Sequence, residues 1–161
     1  LTVKPLFLTI NESIEDVINS IRIISDCTDI ISLEPISIQK NTSIEYLYKN
    51  NLYTPPKGWI IKDIMMRLLD ERLLNKFELR IGGFEFFPIP DLVIRNCDLC
   101  NRKLYEAIDY YNSNKKIDKI KDLICECEIK YSKKKLSELT EETLEDRINS
   151  TMNYILVNIV E

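Results

Sequence analysis

Four cysteines in the second half of the chain are the residues best suited to do chemistry. Cys97 and Cys100 form a C-x-x-C motif, Cys125 and Cys127 form a C-x-C motif, and twenty-four residues separate the two pairs. The C-x-x-C pair presents two sulfurs from one tight turn, and the C-x-C pair can close the other side. Four converging thiolates usually hold a tetrahedral metal ion, most often zinc. The spacing therefore predicts a metal site at these four residues.

Two other interpretations of the cysteines stay open. Cysteine also packs as a small hydrophobic residue, so the four thiols could be unrelated parts of a core. The polar neighbours Asn96, Asp98, Asn101, Glu126 and Glu128 disfavour that interpretation. An iron–sulfur cluster is the other possibility, and residue types alone do not separate it from zinc.

The composition excludes several classes of function. The chain has no histidine, which excludes histidine-based acid–base catalysis and histidine metal ligands. Gly82-Gly83 is the only glycine pair, and no phosphate-binding glycine loop is present. Neither a signal peptide nor an apolar run long enough to span a bilayer is evident, so we expect no membrane contact. Five cysteines without an export signal favour a reducing, cytoplasmic location. Because Leu1 reads as the start of a strand, we expect a piece of a longer protein.

Charge is unevenly spread along the chain. Residues 102–135 carry 10 basic and 6 acidic side chains, a balance of +4, whereas residues 136–161 carry 1 basic and 6 acidic side chains. A locally basic metal module is compatible with nucleic-acid contact. A solvated helical surface is an equally open interpretation.

The first forty residues have the pattern of a βαβ unit. A strand is expected over residues 4–9 and a second over residues 30–35, where Pro35 ends it. Thr9 and Glu12 form a T-x-x-E capping box that opens the intervening helix. Such units are right-handed and pair their strands in parallel. Active sites of these folds lie beyond the carboxyl ends of the strands, which directs attention to Thr9 and residues 34–42.

The remaining elements are predicted from the spacing of apolar residues and from the residues that start or end helices and strands. A second capping box, Thr42 with Glu45, opens a short helix. The expected elements are a helix over 43–50, a helix over 58–74, a strand over 77–81, an irregular segment over 82–95, a helix after Cys100, a linker over 133–139 and a final helix over 141–160.

Three stretches together carry a resemblance to a known family. Residues 30–56 (IISLEPISIQKNTSIEYLYKNNLYTPP) are similar to the late part of the partial barrel in radical-SAM enzymes of the elongator-catalytic-subunit type. Residues 4–16 (KPLFLTINESIED) and the C-x-x-C with C-x-C tail narrow the match. The chain thus resembles the archaeal radical-SAM subunits of archaeosine synthases over about residues 5–127.

The resemblance implies a fold and an activity. The implied α/β fold is the C-terminal part of a partial (β/α) barrel with parallel strands over residues 1–82, a small helical four-cysteine module over 83–135 and a C-terminal amphipathic helix over 136–161. The family cleaves a lysine adduct of a deazaguanine in tRNA to leave the formamidine of archaeosine. It works with a lysine-transferring partner subunit, and the full-length enzyme uses SAM and a [4Fe–4S] cluster.

The chain departs from the family in three places. No C-x-x-x-C-x-x-C motif for the catalytic cluster is present, and the only other cysteine is Cys27. A separate N-terminal half is therefore expected to carry that cluster. Asn41 replaces the family's turn glycine, and asparagine tolerates a left-handed backbone. Residues 84–94 replace the glycine-rich segment expected before the first metal cysteine.

By analogy with the family, Glu34 and Gln39 line the pocket for SAM and substrate. The resemblance further implies that lysines near the cysteine pairs face tRNA phosphates. These lysines are Lys115, Lys116, Lys119 and Lys121. An ordinary solvated surface remains the alternative for each of these residues.

Two functions of different classes follow. In the first, the chain is a fragment or split subunit of a radical-SAM enzyme that forms archaeosine in tRNA, and it supplies a pocket wall and a structural zinc module. In the second, it is a zinc-stapled RNA- or protein-binding module without catalysis of its own. The missing cluster motif favours the second for the isolated chain, whereas the βαβ pattern favours the first.

Overall fold

The computed structural model describes residues 8–51, 53–82, 92–138 and 142–159. Most of the strand expected over residues 4–9 lies outside these ranges, and Leu8 and Thr9 are not in a strand. Most of the irregular segment over 82–95 also lies outside them.

The described residues form a helix-rich α/β structure. Seven helices and two short strands are present within those ranges, together with a 3-10 turn at Leu73–Asn75. In chain order the elements are α1 (Ile10–Ile24), β1 (Ile30–Leu33), α2 (Ser43–Lys49), α3 (Trp59–Asp70), β2 (Glu78–Ile81), α4 (Asn101–Asn114), α5 (Asp118–Lys121), α6 (Glu126–Ser137) and α7 (Leu144–Ile159).

The two strands form a small parallel sheet. Ile31 pairs with Leu79 and Leu33 with Ile81, and these four side chains are buried while their neighbours point outward. The connection between the strands contains α2 and α3, as a parallel pair requires a long crossover. A parallel α/β arrangement is confirmed, and the partial barrel stays a prediction.

Helix α1 begins at the predicted capping box. The Thr9 hydroxyl accepts from the backbone N–H of Glu12 at 3.2 Å, and the Glu12 carboxylate accepts from the backbone N–H of Thr9 at 2.8 Å. Apolar residues at helical spacing, including Ile14, Val17 and Ile21, bury one face of α1 against α3. This packing places α1 in the same hydrophobic core as the two strands.

The turn before α2 behaves as the sequence predicts, with one difference. Asn41 has a φ of 61°, so asparagine does occupy a left-handed turn position. Thr42 accepts from the backbone N–H of Glu45 at 3.2 Å, which is half of the predicted capping box. The Glu45 carboxylate instead accepts from the backbone N–H of Asn41 at 2.7 Å, because the left-handed turn presents that N–H to it.

The prediction of a linker over residues 133–139 is wrong. Helix α6 continues to Ser137, because long-range contacts hold the lysine-rich end of the helix in place. Tyr131 and Lys135 both donate to the Asp63 carboxylate of α3 at 2.8 Å, and Glu138 accepts from the backbone N–H of Ile10 at 2.7 Å. The expected boundary between residues 135 and 136 therefore falls inside a helix.

One hydrophobic core joins the two halves of the described structure. It includes Leu68 and Ile81 from the first half and Leu104, Ile108 and Ile120 from the second. The four-cysteine segment thus packs on the same core as the sheet. Among the described residues, every helix is too short or too polar to cross a bilayer.

Candidate metal centre

The four predicted cysteines converge on one point. All four Sγ atoms lie within 4.8 Å of one another. Cys97 Sγ is 3.5 Å from Cys100 Sγ and 3.7 Å from Cys125 Sγ, and Cys100 Sγ is 3.6 Å from Cys127 Sγ. A tetrahedral ion with bonds to sulfur of about 2.3 Å requires sulfur–sulfur distances of about 3.8 Å. The four thiols therefore fit a single tetrahedral metal ion.

Two helix N-termini present these sulfurs. The Cys97 carbonyl accepts from the backbone N–H of Cys100 at 3.1 Å and of Asn101 at 3.0 Å, which folds the C-x-x-C pair into a turn that leads directly into α4, with Cys100 as its N-cap residue. Cys125 is the N-cap residue of α6, and Cys127 lies in its first turn. Because helix N-termini carry partial positive charge, both helices favour the thiolate form of the ligands.

Two residues outside the cysteine motifs support the centre. The indole N–H of Trp59 donates to Cys127 Sγ at 3.2 Å, which orients that sulfur and lowers its negative charge density. Asn96 Oδ1 accepts from the backbone N–H of Trp59 at 3.0 Å. The backbone N–H of Asn96 donates to Asn101 Oδ1 at 2.6 Å. Asn96 thereby ties the start of α3 to the start of α4, next to the first cysteine.

The thiols differ in acidity. Hydrogen bonding from the Cys100 side chain lowers the pKa of Cys97 to about 7, whereas burial raises the pKa of Cys127 to about 12. Burial also raises the pKa of Cys100. Of these three thiols Cys97 loses its proton most readily, and a bound metal ion displaces the protons of Cys100 and Cys127.

Glu34 and Gln39 lie away from the four cysteines, near the end of β1. Glu34 is exposed and accepts from the Ser32 hydroxyl, and its carboxylate lies against Gly82. Gln39 is half-buried, its Nε2 lies 3.4 Å from Ser37 Oγ, and its Oε1 is buried without a partner among the described residues. Their role in binding SAM or substrate stays a prediction.

The four candidate lysines surround the end of α4 and the short α5. Lys115 forms an ion pair with Glu78 of β2 at 3.0 Å, and Lys119 lies 4.3 Å from the centre of the Tyr110 ring. Lys116 and Lys121 are exposed. Three of the four thus present charge to solvent without a described acidic partner, whereas Lys115 is partly neutralised. Their contact with tRNA stays a prediction.

Sequence reasoning missed two supporting residues. The sequence pattern assigns Trp59 no role at the cysteines, and it indicates Asn96 only as a polar neighbour of them. Trp59 precedes Cys127 by sixty-eight residues, so no local pattern links them. The signal that does exist is the asparagine directly before the C-x-x-C motif, at a position where a side chain can cap the turn.

Comparison with known proteins agrees with the resemblance seen in the sequence. Over 129 residues the chain is 26% identical to archaeosine synthase subunit beta of Methanosarcina acetivorans. The aligned region covers 79% of this chain and 36% of that protein, so the chain spans about a third of the length of its curated relative. No family model and no solved structure matches the chain. The predicted resemblance is therefore confirmed at this level: most of this chain is similar to part of an archaeosine synthase subunit.

Proposed function

We propose that this chain takes part in the modification of tRNA that forms archaeosine. The similarity to archaeosine synthase subunit beta carries this proposal, because it extends over 79% of the chain. The relative's name indicates one subunit of several, which supports a partner subunit for this chain as well. By the family resemblance, that partner transfers lysine to the deazaguanine of the tRNA.

In this proposal the chain is a fragment or split subunit of a radical-SAM enzyme. Its strand ends supply a wall of the pocket, and its cysteine cluster is a structural centre. Four of its five cysteines meet at that centre, and the fifth, Cys27, is exposed. The cysteine ligands of the catalytic [4Fe–4S] cluster, which acts together with SAM, therefore have to come from another segment or subunit.

We further propose that the four cysteines bind one zinc ion. An iron–sulfur cluster with four cysteine ligands divides them among different iron atoms, which separates the sulfurs more widely than one ion does. Sulfur–sulfur distances of 3.5–3.7 Å suit ligands of a single ion. Among structural sites with four thiolates, zinc is the most common ion.

Metal analysis of the purified chain tests the zinc proposal. We expect about one zinc per chain and a colourless protein. Cys97→Ser should lower the zinc content below about 0.2 per chain and reduce the unfolding free energy by about 3 kcal/mol or more, because metal binding is coupled to folding. Cys27→Ser is the matched control and should keep its zinc. Visible absorption with stoichiometric iron contradicts zinc.

The role in archaeosine formation is tested in cells of the source organism. The Cys97→Ser and Cys27→Ser variants are placed separately in the chromosomal gene, and tRNA nucleosides are measured by mass spectrometry. We expect archaeosine to disappear and the lysine adduct of the deazaguanine to accumulate in the Cys97→Ser strain only. Unchanged archaeosine in that strain, with the variant free of zinc, contradicts the proposal.

The second candidate is a zinc-stapled binding module that has no catalysis of its own. The absence of a C-x-x-x-C-x-x-C motif from these 161 residues favours it. This module docks on RNA or on a partner protein. It predicts binding of tRNA or a partner by the chain together with unchanged archaeosine in the Cys97→Ser strain.

A further inference from the structure

A cavity of about 310 Å³ lies beside the cysteine centre. Its walls come from the first turn of α1, the proline turn before α3, the start of α3 and one face of α6, and Cys97 and Cys127 also belong to its lining. This volume is at the lower limit of small-molecule pockets, which span about 300–1,000 Å³.

Apart from the two metal-ligand thiols, the charged side chains of this cavity are all cationic. Lys57, Lys130 and Lys134 line it, and the described lining contains no carboxylate. Lys134 lies 3.7 Å from Glu138, whereas Lys57 and Lys130 have no ion-pair partner among the described residues. Three ammonium groups on one opening attract an anion, and lysine is a common ligand of phosphate.

Asn96 lines the cavity and carries a neutral hydrogen-bond donor that is unpaired within the described structure. Its side chain is 5% exposed, and its Oδ1 accepts from the backbone N–H of Trp59. This bond fixes the orientation of the amide, so the group left over is the Nδ2 donor, which has no partner among the described residues. An unpaired buried donor is costly, and a bound ligand with an acceptor atom removes that cost.

Apart from Thr54, the remaining walls are apolar and include two planar rings. Ile10, Pro56, Trp59 and Tyr131 provide them. A ligand that suits this cavity has an anionic group at the lysines, an acceptor for Asn96 and a flat body for the apolar walls. We propose that the cavity binds a nucleotide, with its phosphate at the lysines and its base between the apolar walls. Where that nucleotide belongs to an RNA strand, the inference rests on the proposed role in tRNA modification.

The chain carries its own reporter for this site. Trp59 is the only tryptophan and lines the cavity, so its fluorescence responds to a bound ligand. The zinc-loaded chain is titrated with guanosine 5′-monophosphate, guanosine, inorganic phosphate and a three-nucleotide RNA. We expect saturable changes with the mononucleotide and the RNA, and at least about tenfold weaker binding of guanosine and of phosphate alone.

Substitutions at the opening separate the site from general charge attraction. Changing Lys57→Gln and Lys130→Gln together should weaken binding at least about tenfold, because two charge-assisted contacts are lost. The matched control changes Lys103→Gln and Lys133→Gln, which removes the same charge outside the cavity and should leave the affinity unchanged.

The two sources of the nucleotide are distinguished by the same titration. Tighter binding of the RNA than of the mononucleotide supports a site for an RNA strand, and the reverse order supports a free nucleotide. A flat titration up to millimolar ligand, equal binding of guanosine and the mononucleotide, or full binding by the Lys57/Lys130 variant overturns the inference. Because the readout uses neither SAM nor archaeosine, its failure is distinct from failure of the proposed function.

Discussion

At the scale of single residues, the centre depends on how four negative thiolates are tolerated in one place. A zinc ion with four thiolates has a net charge of −2, which is costly at a half-buried site unless donors surround it. The starts of α4 and α6 provide two partial positive charges, and the indole of Trp59 provides a direct donor to Cys127 at 3.2 Å. Trp59 is therefore the residue outside the cysteines that should most affect metal affinity.

Trp59→Phe should weaken zinc binding by about tenfold, because it removes the donor to Cys127 while keeping an aromatic ring. The measurement is competition for zinc against a chelator of known affinity. Tyr131→Phe is the control, since it removes a buried hydroxyl whose partner is Asp63 rather than a sulfur. Equal zinc affinity of the wild type and the Trp59→Phe variant contradicts the role assigned to the indole.

At the scale of elements, the start of α1 is a junction between distant parts of the chain. Burial opposes ionisation of Glu12, but hydrogen bonds from Thr9 and the ion pair with Arg147 of α7 outweigh it, so the pKa of the Glu12 carboxyl is lowered. A lowered folded-state pKa stabilises the protein above the unfolded value of 4.5. That stabilisation is lost as the pH falls through the folded-state pKa.

Glu12→Gln should therefore destabilise the chain at neutral pH and change its stability much less in acid. Urea unfolding midpoints at about pH 7 and about pH 3 measure this difference, since the stabilisation by ionised Glu12 is complete above the unfolded value of 4.5 and declines as the pH falls toward the lowered folded-state pKa. Glu145→Gln, on the exposed side of α7, is the control for the loss of one negative charge. A midpoint difference that is the same at both pH values contradicts the linkage.

The contact between α3 and α4 is close at Gly58. A Cβ atom added there lies 2.3 Å from Cδ2 of Leu104, which is fully buried, and 3.1 Å from Asn96 Oδ1. Gly58→Ala should lower the unfolding free energy by about 1–3 kcal/mol, because the core around Leu104 has to shift. Urea unfolding at constant zinc measures the effect.

Gly82→Ala is the matched control for that substitution. Its added Cβ also lies 2.3 Å from another atom, but that atom belongs to the exposed carboxylate of Glu34, which can swing into solvent. We expect a change below about 1 kcal/mol. Equal destabilisation by the two alanines contradicts the assignment of the cost to buried packing.

At the scale of the whole molecule, charge separates the chain into a basic and an acidic part. Residues 102–135 have a balance of +4, and residues 136–161 carry six acidic groups against one basic group. The structure reduces the number of lysines that can attract phosphates, because several are paired with carboxylates. Lys134 lies 3.7 Å from Glu138, Lys135 lies 2.8 Å from Asp63 and Lys115 lies 3.0 Å from Glu78. Of the four candidate lysines near the cysteine pairs, Lys116, Lys119 and Lys121 remain for phosphates.

Binding of tRNA should therefore weaken steeply with salt, and changing Lys116, Lys119 and Lys121 to Gln together should lower the log–log salt slope by about three units. Lys115→Gln alone should lower it by less than about one unit, because Glu78 already pairs with Lys115. The measurement is tRNA affinity over a range of salt concentrations, starting at low salt. An unchanged slope in the triple variant identifies those lysines as a solvated surface.

The sequence by itself determined the features that depend on residue type and short spacing. The four thiols of the C-x-x-C and C-x-C motifs do meet, the Thr9–Glu12 capping box starts α1, and Asn41 takes the left-handed turn position. Each of these features depends on groups that are a few residues apart in the sequence. The convergence of the two cysteine pairs is the exception, because twenty-four residues separate them. Their meeting is predictable because a metal ion requires four ligands.

Only the tertiary structure decided the features that join distant segments. Helix α6 extends to Ser137 because Asp63 of α3 holds Lys135, and Lys115 is neutralised because β2 presents Glu78. The hydrogen bond from the Trp59 indole to Cys127 Sγ and the cavity beside the cysteine centre likewise depend on where α3 meets α6. A local pattern cannot encode these contacts, since the partners are brought together by burial of a shared core rather than by spacing along the chain.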